Sequence, residues 1–281
     1  MISIQNLNFS YKKKKVFDNL ELEFSPGHVY GLLGKNGTGK STLLKNMAGL
    51  LSPQQGKITI NGFIPSHRQP QFLQDVYMVP EEFYLPDTSI DAFIGSYAPF
   101  YSRFNQEQFR QYMQLFEIPV KSTLQNMSYG QKKKVLISFA LATNARLLLM
   151  DEPTNGLDII SKSQFRKVLA EALDEERCII VSTHQVKDLE NLIDRITIID
   201  EGKILFDETI ETIMDTLSFR YAYDEAEIRK AFYAESSLRG SVIVTENTDG
   251  EEGKMDLELL YKAIIANGAT IQNLFKAKHT V

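Results

Sequence analysis

The stretch that decides the architecture is His28-Val29-Tyr30-Gly31-Leu32-Leu33-Gly34-Lys35-Asn36-Gly37-Thr38-Gly39-Lys40-Ser41-Thr42. Residues 28–33 read as a buried strand, residues 34–41 fit Gly-x-x-x-x-Gly-Lys-[Ser/Thr], and residues 40–51 read as the helix that follows. The glycines let the backbone curl, so that several N–H groups point inward at phosphate oxygens. The helix then aims its positive N-terminal end at the same place. In such a cradle Lys40 reaches the β- and γ-phosphates of a nucleotide, and the Ser41 hydroxyl takes Mg2+. A glycine-rich loop can match this pattern by chance. The strand before it and the helix after it favour nucleotide binding.

Downstream, Leu147-Leu148-Leu149-Met150-Asp151-Glu152 is an apolar strand that ends in two carboxylates. Beside a phosphate loop, Asp151 is positioned to hold Mg2+, and Glu152 can take a proton from an attacking water. Short buried runs at 76–79, 178–182 and 195–200 alternate with helical patterns near 159–174 and 185–193. This alternation predicts an α/β domain with a mostly parallel sheet. Residues 1–30 read as short alternating strands, and 56–63 as a hairpin turning at Asn61-Gly62. From about 88 to 143 the pattern is helical and rich in Phe, Tyr and Gln. Past Phe206 the texture changes. Strands are expected at 217–222 and 240–246, helices at 225–235 and 256–266, and a polar loop at 247–253. Residues 211–281 therefore read as a small appended α/β segment without a chemical motif.

The composition sets limits. Of 281 residues, 43% are apolar and 24% charged, which suits a folded globular chain and argues against global disorder. The formal net charge of −5 makes a general nucleic-acid binder unexpected. A single cysteine, Cys178, allows no disulfide framework and favours a reducing compartment. No apolar run is long enough to cross a membrane, and the first residues read as carrying no secretory leader.

Four further features fall in a fixed order: Tyr11 near the start, Met127-Ser128-Tyr129-Gly130-Gln131 before a helix, Asn155-Gly156-Leu157-Asp158 after the carboxylates, and Ser182-Thr183-His184 closing a buried run. Together with the loop at 34–42 and the string DEPTNGLD at 151–158, this order resembles the ATP-binding cassette (ABC) transporter family over about residues 1–208. The resemblance implies a P-loop NTPase core with a mixed, mostly parallel sheet, an N-terminal antiparallel β subdomain and a helical signature subdomain at about 84–140. The nucleotide-binding domain would then be 1–210, with an α/β extension of unassigned role at 211–281. It further implies that Tyr11 stacks on adenine, in preference to the alternative of a strand aromatic in the core. Gly34, Asn36, Gly37, Thr38, Gly39, Lys40, Ser41 and Thr42 would cradle phosphate. Ser41, Asp151 and Glu81 become candidate metal ligands, Glu152 the general base, and His184 the contact to γ-phosphate. Ser128, Gly130 and Gln131 would cap the γ-phosphate of ATP held by a second copy or a paralogous subunit, head to tail, and Asp158 lies in the loop that crosses to that partner. By resemblance the chain is a Mg2+-dependent ATPase, cytoplasmic and peripheral on the inner face of the cell membrane, that drives an integral membrane permease. A soluble ABC-type ATPase is the alternative.

Two positions depart from the family pattern. Tyr129 stands where a first glycine is usual, which requires a backbone without positive φ. Glu81 stands where Gln is usual. It could ligate Mg2+ or be a solvated loop acid, and it is similar to some bacterial export-type members. Lys12–Lys15 read as a solvated hairpin edge, or less readily as a lipid contact. Lys132–Lys134 read as a solubilising face that adds positive potential near phosphate. The aromatics between Phe93 and Phe116 read mostly as core, some of them as anchors for a permease helix.

Overall fold

The computed structural model describes residues 1–119, 121–189, 192–238, 240–248 and 254–279, with the side chains of 188, 189 and 279 left aside. Three sheets organise these residues. In the first, β1 (Ile2–Tyr11) pairs antiparallel with β2 (Lys14–Phe24) and with β4 (Gln55–Ile60). The second has six strands in the order β5-β6-β7-β3-β8-β9. Its members are β3 (His28–Leu33), β5 (Val76–Val79), β6 (Leu147–Asp151), β7 (Cys178–Thr183), β8 (Arg195–Asp200) and β9 (Lys203–Thr209). The first five in that order run parallel and β9 closes the edge antiparallel to β8. This is the mixed, mostly parallel sheet that the alternating pattern predicts.

The central strands are near-continuous apolar runs because both faces of the sheet are covered. Successive residues serve opposite cores. Leu148, Met150, Ile179 and Val181 join the cluster on the helical side, whereas Leu147, Leu149, Cys178 and Ile180 join the one on the β1–β2–β4 side. The second side also takes α1 (Lys40–Met47) and Phe72 of α2 (Pro70–Gln74). On the first side lie α3 (Ile90–Tyr97), α4 (Gln106–Leu115), α5 (Tyr129–Ala142) and α6 (Ile159–Ala172). Each starts where a polar side chain accepts a backbone N–H: Ser89, Asn105, Ser128 and Asp158.

The rest of the chain forms α7 (Ile210–Thr216), β10 (Leu217–Ala222), α8 (Glu225–Lys230), β11 (Tyr233–Ser237), β12 (Gly240–Glu246) and α9 (Leu257–His279). The three strands make an antiparallel sheet in the order β10-β12-β11. Its buried side does not form a separate core. Ile213, Leu217, Val244, Leu260, Ile264 and Phe275 belong to the same cluster as Ile196, Ile198 and Phe206. Phe275 meets Phe206 edge-on at 5.1 Å.

Several expectations need correction. The helix read at 225–235 stops at Lys230, and Tyr233–Ser237 becomes a strand because β12 offers it a hydrogen-bonded edge. The helix read at 256–266 runs on to His279 through a non-helical Asn267. Asn61-Gly62 does turn with positive φ, yet only an Ile60–Phe63 bridge follows, and the partner of β4 is β1. The helix read at 185–193 is a single 3-10 turn, Val186–Leu189, and residues 190 and 191 lie outside the described residues. Most of the polar loop, 249–253, lies outside them as well. Strand β9 has no counterpart in the sequence reading.

Candidate functional site

Parallel pairing of β6, β7 and β3 sets Asp151 beside Ser182 and Leu33 beside Thr183, so the segments that follow all emerge at one sheet edge. Carboxyl ends of parallel strands are where open α/β sheets bind ligands. The phosphate loop sits there. Gly39 holds φ +111°, and a Cβ on it would come within 2.6 Å of the Phe17 ring, so only glycine fits. Lys40 is 5% exposed. Its Nζ donates to the carbonyls of Gly34 (2.7 Å) and Lys35 (3.1 Å) and lies 4.0 Å from Glu152 Oε1. Burial lowers the pKa of its ammonium below the ordinary value, while Glu152, Asp151 and Glu81 raise it.

The two carboxylates differ in environment. Asp151 is 3% exposed and accepts from Ser182 Oγ at 2.5 Å. Glu152 takes φ +46°, unusual for a residue with a side chain. Its N–H donates to the Ser182 carbonyl at 3.0 Å. Its carboxylate accepts from Thr183 Oγ1 and from the His184 N–H, both at 3.0 Å, and His184 Nδ1 lies 2.8 Å from Oε1.

Lys40 and Glu152 open on a cleft of about 520 Å3 whose walls also include Tyr11, Asn36, Gly37, Thr38, Gly39, Ser41, Thr42 and Glu81, whereas Asp151 lies buried behind it and is not among its walls. Tyr11 is 45% exposed there, edge-on to Phe9 at 4.9 Å, and so is not a core aromatic. Lys14 and Lys15 line the cleft too, so the lysine run is more than a solvated edge. Gly34 and His184 face a neighbouring cavity of about 250 Å3, which Asn36 shares and Tyr261 of α9 helps to wall. Among the described residues no three His, Cys, Asp or Glu converge as a ready-made metal cage. A hydroxyl and one or two carboxylates beside a phosphate cradle is nonetheless the donor set Mg2+ uses with nucleotides, so the residues fit it.

Ser128, Gly130, Gln131 and Asp158 do not line this cleft. Ser128 and Gln131 bond each other reciprocally as a capping box at the start of α5. Asp158 caps α6, and the Ser161 N–H holds its carboxyl below the usual pKa. Tyr129 is the first residue of α5 and has no positive φ. Its hydroxyl donates to the Glu81 carbonyl at 2.6 Å, and its ring stacks on Phe83 at 5.0 Å. The Glu81 carboxylate accepts from Asn155 Nδ2 at 3.0 Å.

Lys132–Lys134 are not one solvated face. Lys133 is wholly buried, and its Nζ donates to the carbonyls of Glu152 (2.7 Å) and Asn155 (2.9 Å). Burial pushes its pKa down to about 8, against the pull of Glu81, Glu152 and Asp151. Lys134 bonds Phe116 and Gln164. Sequence reasoning missed the burial of Lys133 and the wall residues Glu201 and Tyr261. A lysine run gives no sign of which member turns inward. Of the aromatic segment, Phe93, Phe109, Tyr112 and Phe116 are core, while Tyr97 (44%) and Phe100 (68%) remain exposed.

Fold and cleft together define a P-loop nucleotide-binding protein. Residues 17–155 match the family described as ABC transporter. The lantibiotic transport ATP-binding protein SrtF of Streptococcus pyogenes is 30% identical over 217 residues, 74% of this chain and 90% of that one. The methionine import ATP-binding protein MetN of Carboxydothermus hydrogenoformans is 30% identical over 226 residues, 73% of this chain and 65% of that one. Among solved structures, the dimeric post-hydrolysis state of an ATP-binding cassette bound to ADP and Pi aligns with TM-score 0.65 and 20% identity, over 75% of this chain and 99% of that one. The chain belongs to the ABC transporter family, in the class of its ATP-binding subunits. No helix among the described residues is long and apolar enough to cross a membrane.

Proposed function

We propose that the chain is the Mg2+-dependent ATPase subunit of an exporter. It would act as a head-to-tail pair with a second copy or a paralogous subunit, and sit peripherally on the cytoplasmic face of the membrane against an integral permease. The observation that carries the ATPase reading is the Glu152 carboxylate, held between Lys40 and His184 beside the phosphate loop. In this reading Tyr11 stacks on adenine, residues 34–42 bind the phosphates, and Lys40 exchanges its two carbonyl bonds for phosphate oxygens. Mg2+ would be held by Ser41 and Asp151, with Glu81 facing the same cleft, and would neutralise phosphate charge. Glu152 accepts a proton from the attacking water, and His184, which shares its carboxylate, orients that water.

The pairing is supported by the segment 128–131 and Asp158, which lie outside the chain's own cleft and would complete another. The dimeric cassette that shares this fold is a precedent. Exposed Tyr84, Tyr97 and Phe100 offer anchors for a permease helix. Relatives named for lantibiotic transport and for methionine import leave direction open, and export rests on Glu81. The assignment of 1–210 as the nucleotide-binding unit and 211–281 as an extension follows the same reading.

Glu152→Gln tests it. The variant is expected to bind ATP, to slow hydrolysis by about 10²–10⁴-fold, and to run as an ATP-dependent dimer on a sizing column. Near-wild-type turnover would remove Glu152 as the base. Affinity purification from gently solubilised membranes is expected to bring down a polytopic membrane protein. Its absence points to an ATPase uncoupled from transport, and transport assays with that partner decide direction.

A further inference from the structure

The backbone at Glu152 is in an unfavourable conformation and must be held there. Its N–H is fixed by the Ser182 carbonyl on β7. On the other side, the Glu152 carbonyl accepts from the Asn155 N–H at 3.2 Å and from Lys133 Nζ at 2.7 Å, and the same Nζ takes the Asn155 carbonyl at 2.9 Å. The turn leaving β6 is thus closed over one ammonium group. Burying a cation is costly unless every donor finds a partner, so this lysine is a poor choice for mere space filling.

Lys133 is also one turn into α5, two residues beyond the segment 128–131. The first turn of that helix reaches Glu81 through the Tyr129 hydroxyl, and Gly130 lies against Gly156 of the same turn that follows β6. A displacement of the start of α5 therefore carries Lys133 with it, and with Lys133 the carbonyl of Glu152. We infer that Lys133 is a positioning residue: its ammonium sets the aim of the Glu152 carboxylate and makes that aim depend on where the start of α5 sits. This rests on the ATPase reading above.

Lys133→Met keeps the length and removes the donors. In the full-length chain it is expected to lower kcat by about 10–100-fold, the size of loss that follows when a partner orienting a metal ligand is removed. KM and the affinity for a non-hydrolysable ATP analogue should stay within about two-fold, because the phosphate loop is untouched. Lys133→Gln, a shorter neutral donor, should fall between Met and wild type. In a Glu152→Gln background, adding Lys133→Met should leave the residual rate unchanged, since both act through one carboxylate.

A folded Lys133→Met chain with wild-type kcat overturns the inference. So does a loss that multiplies with Glu152→Gln, which would locate its effect elsewhere. Should the Met variant fail to fold, wild-type kcat in Lys133→Gln overturns it equally. Absence of hydrolysis in the wild type would instead defeat the ATPase reading.

Discussion

Lys133 titrates where few lysines do. Its conjugate acid, pushed down to about 8 by burial, has an ordinary value of 10.5 in the unfolded chain. Below pH 8 both states hold the proton and the difference is constant. Between about pH 8 and 10 the folded chain releases the proton while the unfolded chain keeps it, so this group adds stability as pH rises. The urea midpoint of wild type should therefore gain on that of Lys133→Met between pH 8 and pH 10. A constant gap would mean that the ammonium is not displaced from its ordinary range. None of this was legible in the run Lys132-Lys133-Lys134. Burial of the middle lysine depends on two carbonyls that arrive from 19 and 22 residues further along. The phosphate loop was legible because its chemistry is local: the glycines, the lysine and the hydroxyl all sit in nine consecutive residues.

Legibility of the elements follows burial. Strands β3, β6 and β7 are near-continuous apolar and buried runs, and the sequence marks them without help from their neighbours. Strands β9 and β11 are partly exposed and carry charged residues, so their pattern resembles a loop or a helix until a neighbouring strand supplies the pairing. Helix starts are the other local signal. Asn105 Oδ1 accepts from the N–H groups of Glu107 and Gln108 at the head of α4, away from the cleft. Asn105→Ala should cost about 1 kcal/mol of folding stability, read in urea, with ATP turnover per folded molecule unchanged. A loss of turnover without a loss of stability would make the cap a functional contact.

At the scale of the molecule, the change of texture past Phe206 suggested an appendage, whereas the apolar cluster runs without a break from the large sheet into α9. Leu257, Leu260, Ile264, Ile271 and Phe275 are all within 2% of full burial. At about 1.5–3 kcal/mol per side chain, exposing the faces they cover would remove an amount comparable to the whole stability of a domain, about 5–15 kcal/mol. A chain ending at residue 256 should therefore lose cooperative unfolding or solubility. Unchanged thermal unfolding would mean that the cassette carries its own complete core. The sequence could not reveal this sharing, because no local pattern says which surface an amphipathic helix will choose.

Tyr11, half-exposed at the mouth of the cleft, has an optical consequence. The chain has no tryptophan, so excitation near the red edge of protein absorption meets no chromophore. One indole introduced as Tyr11→Trp would be the sole emitter at that wavelength, on the wall where the base is expected to lie. The arrival and departure of nucleotide could then be followed in real time on an otherwise dark molecule.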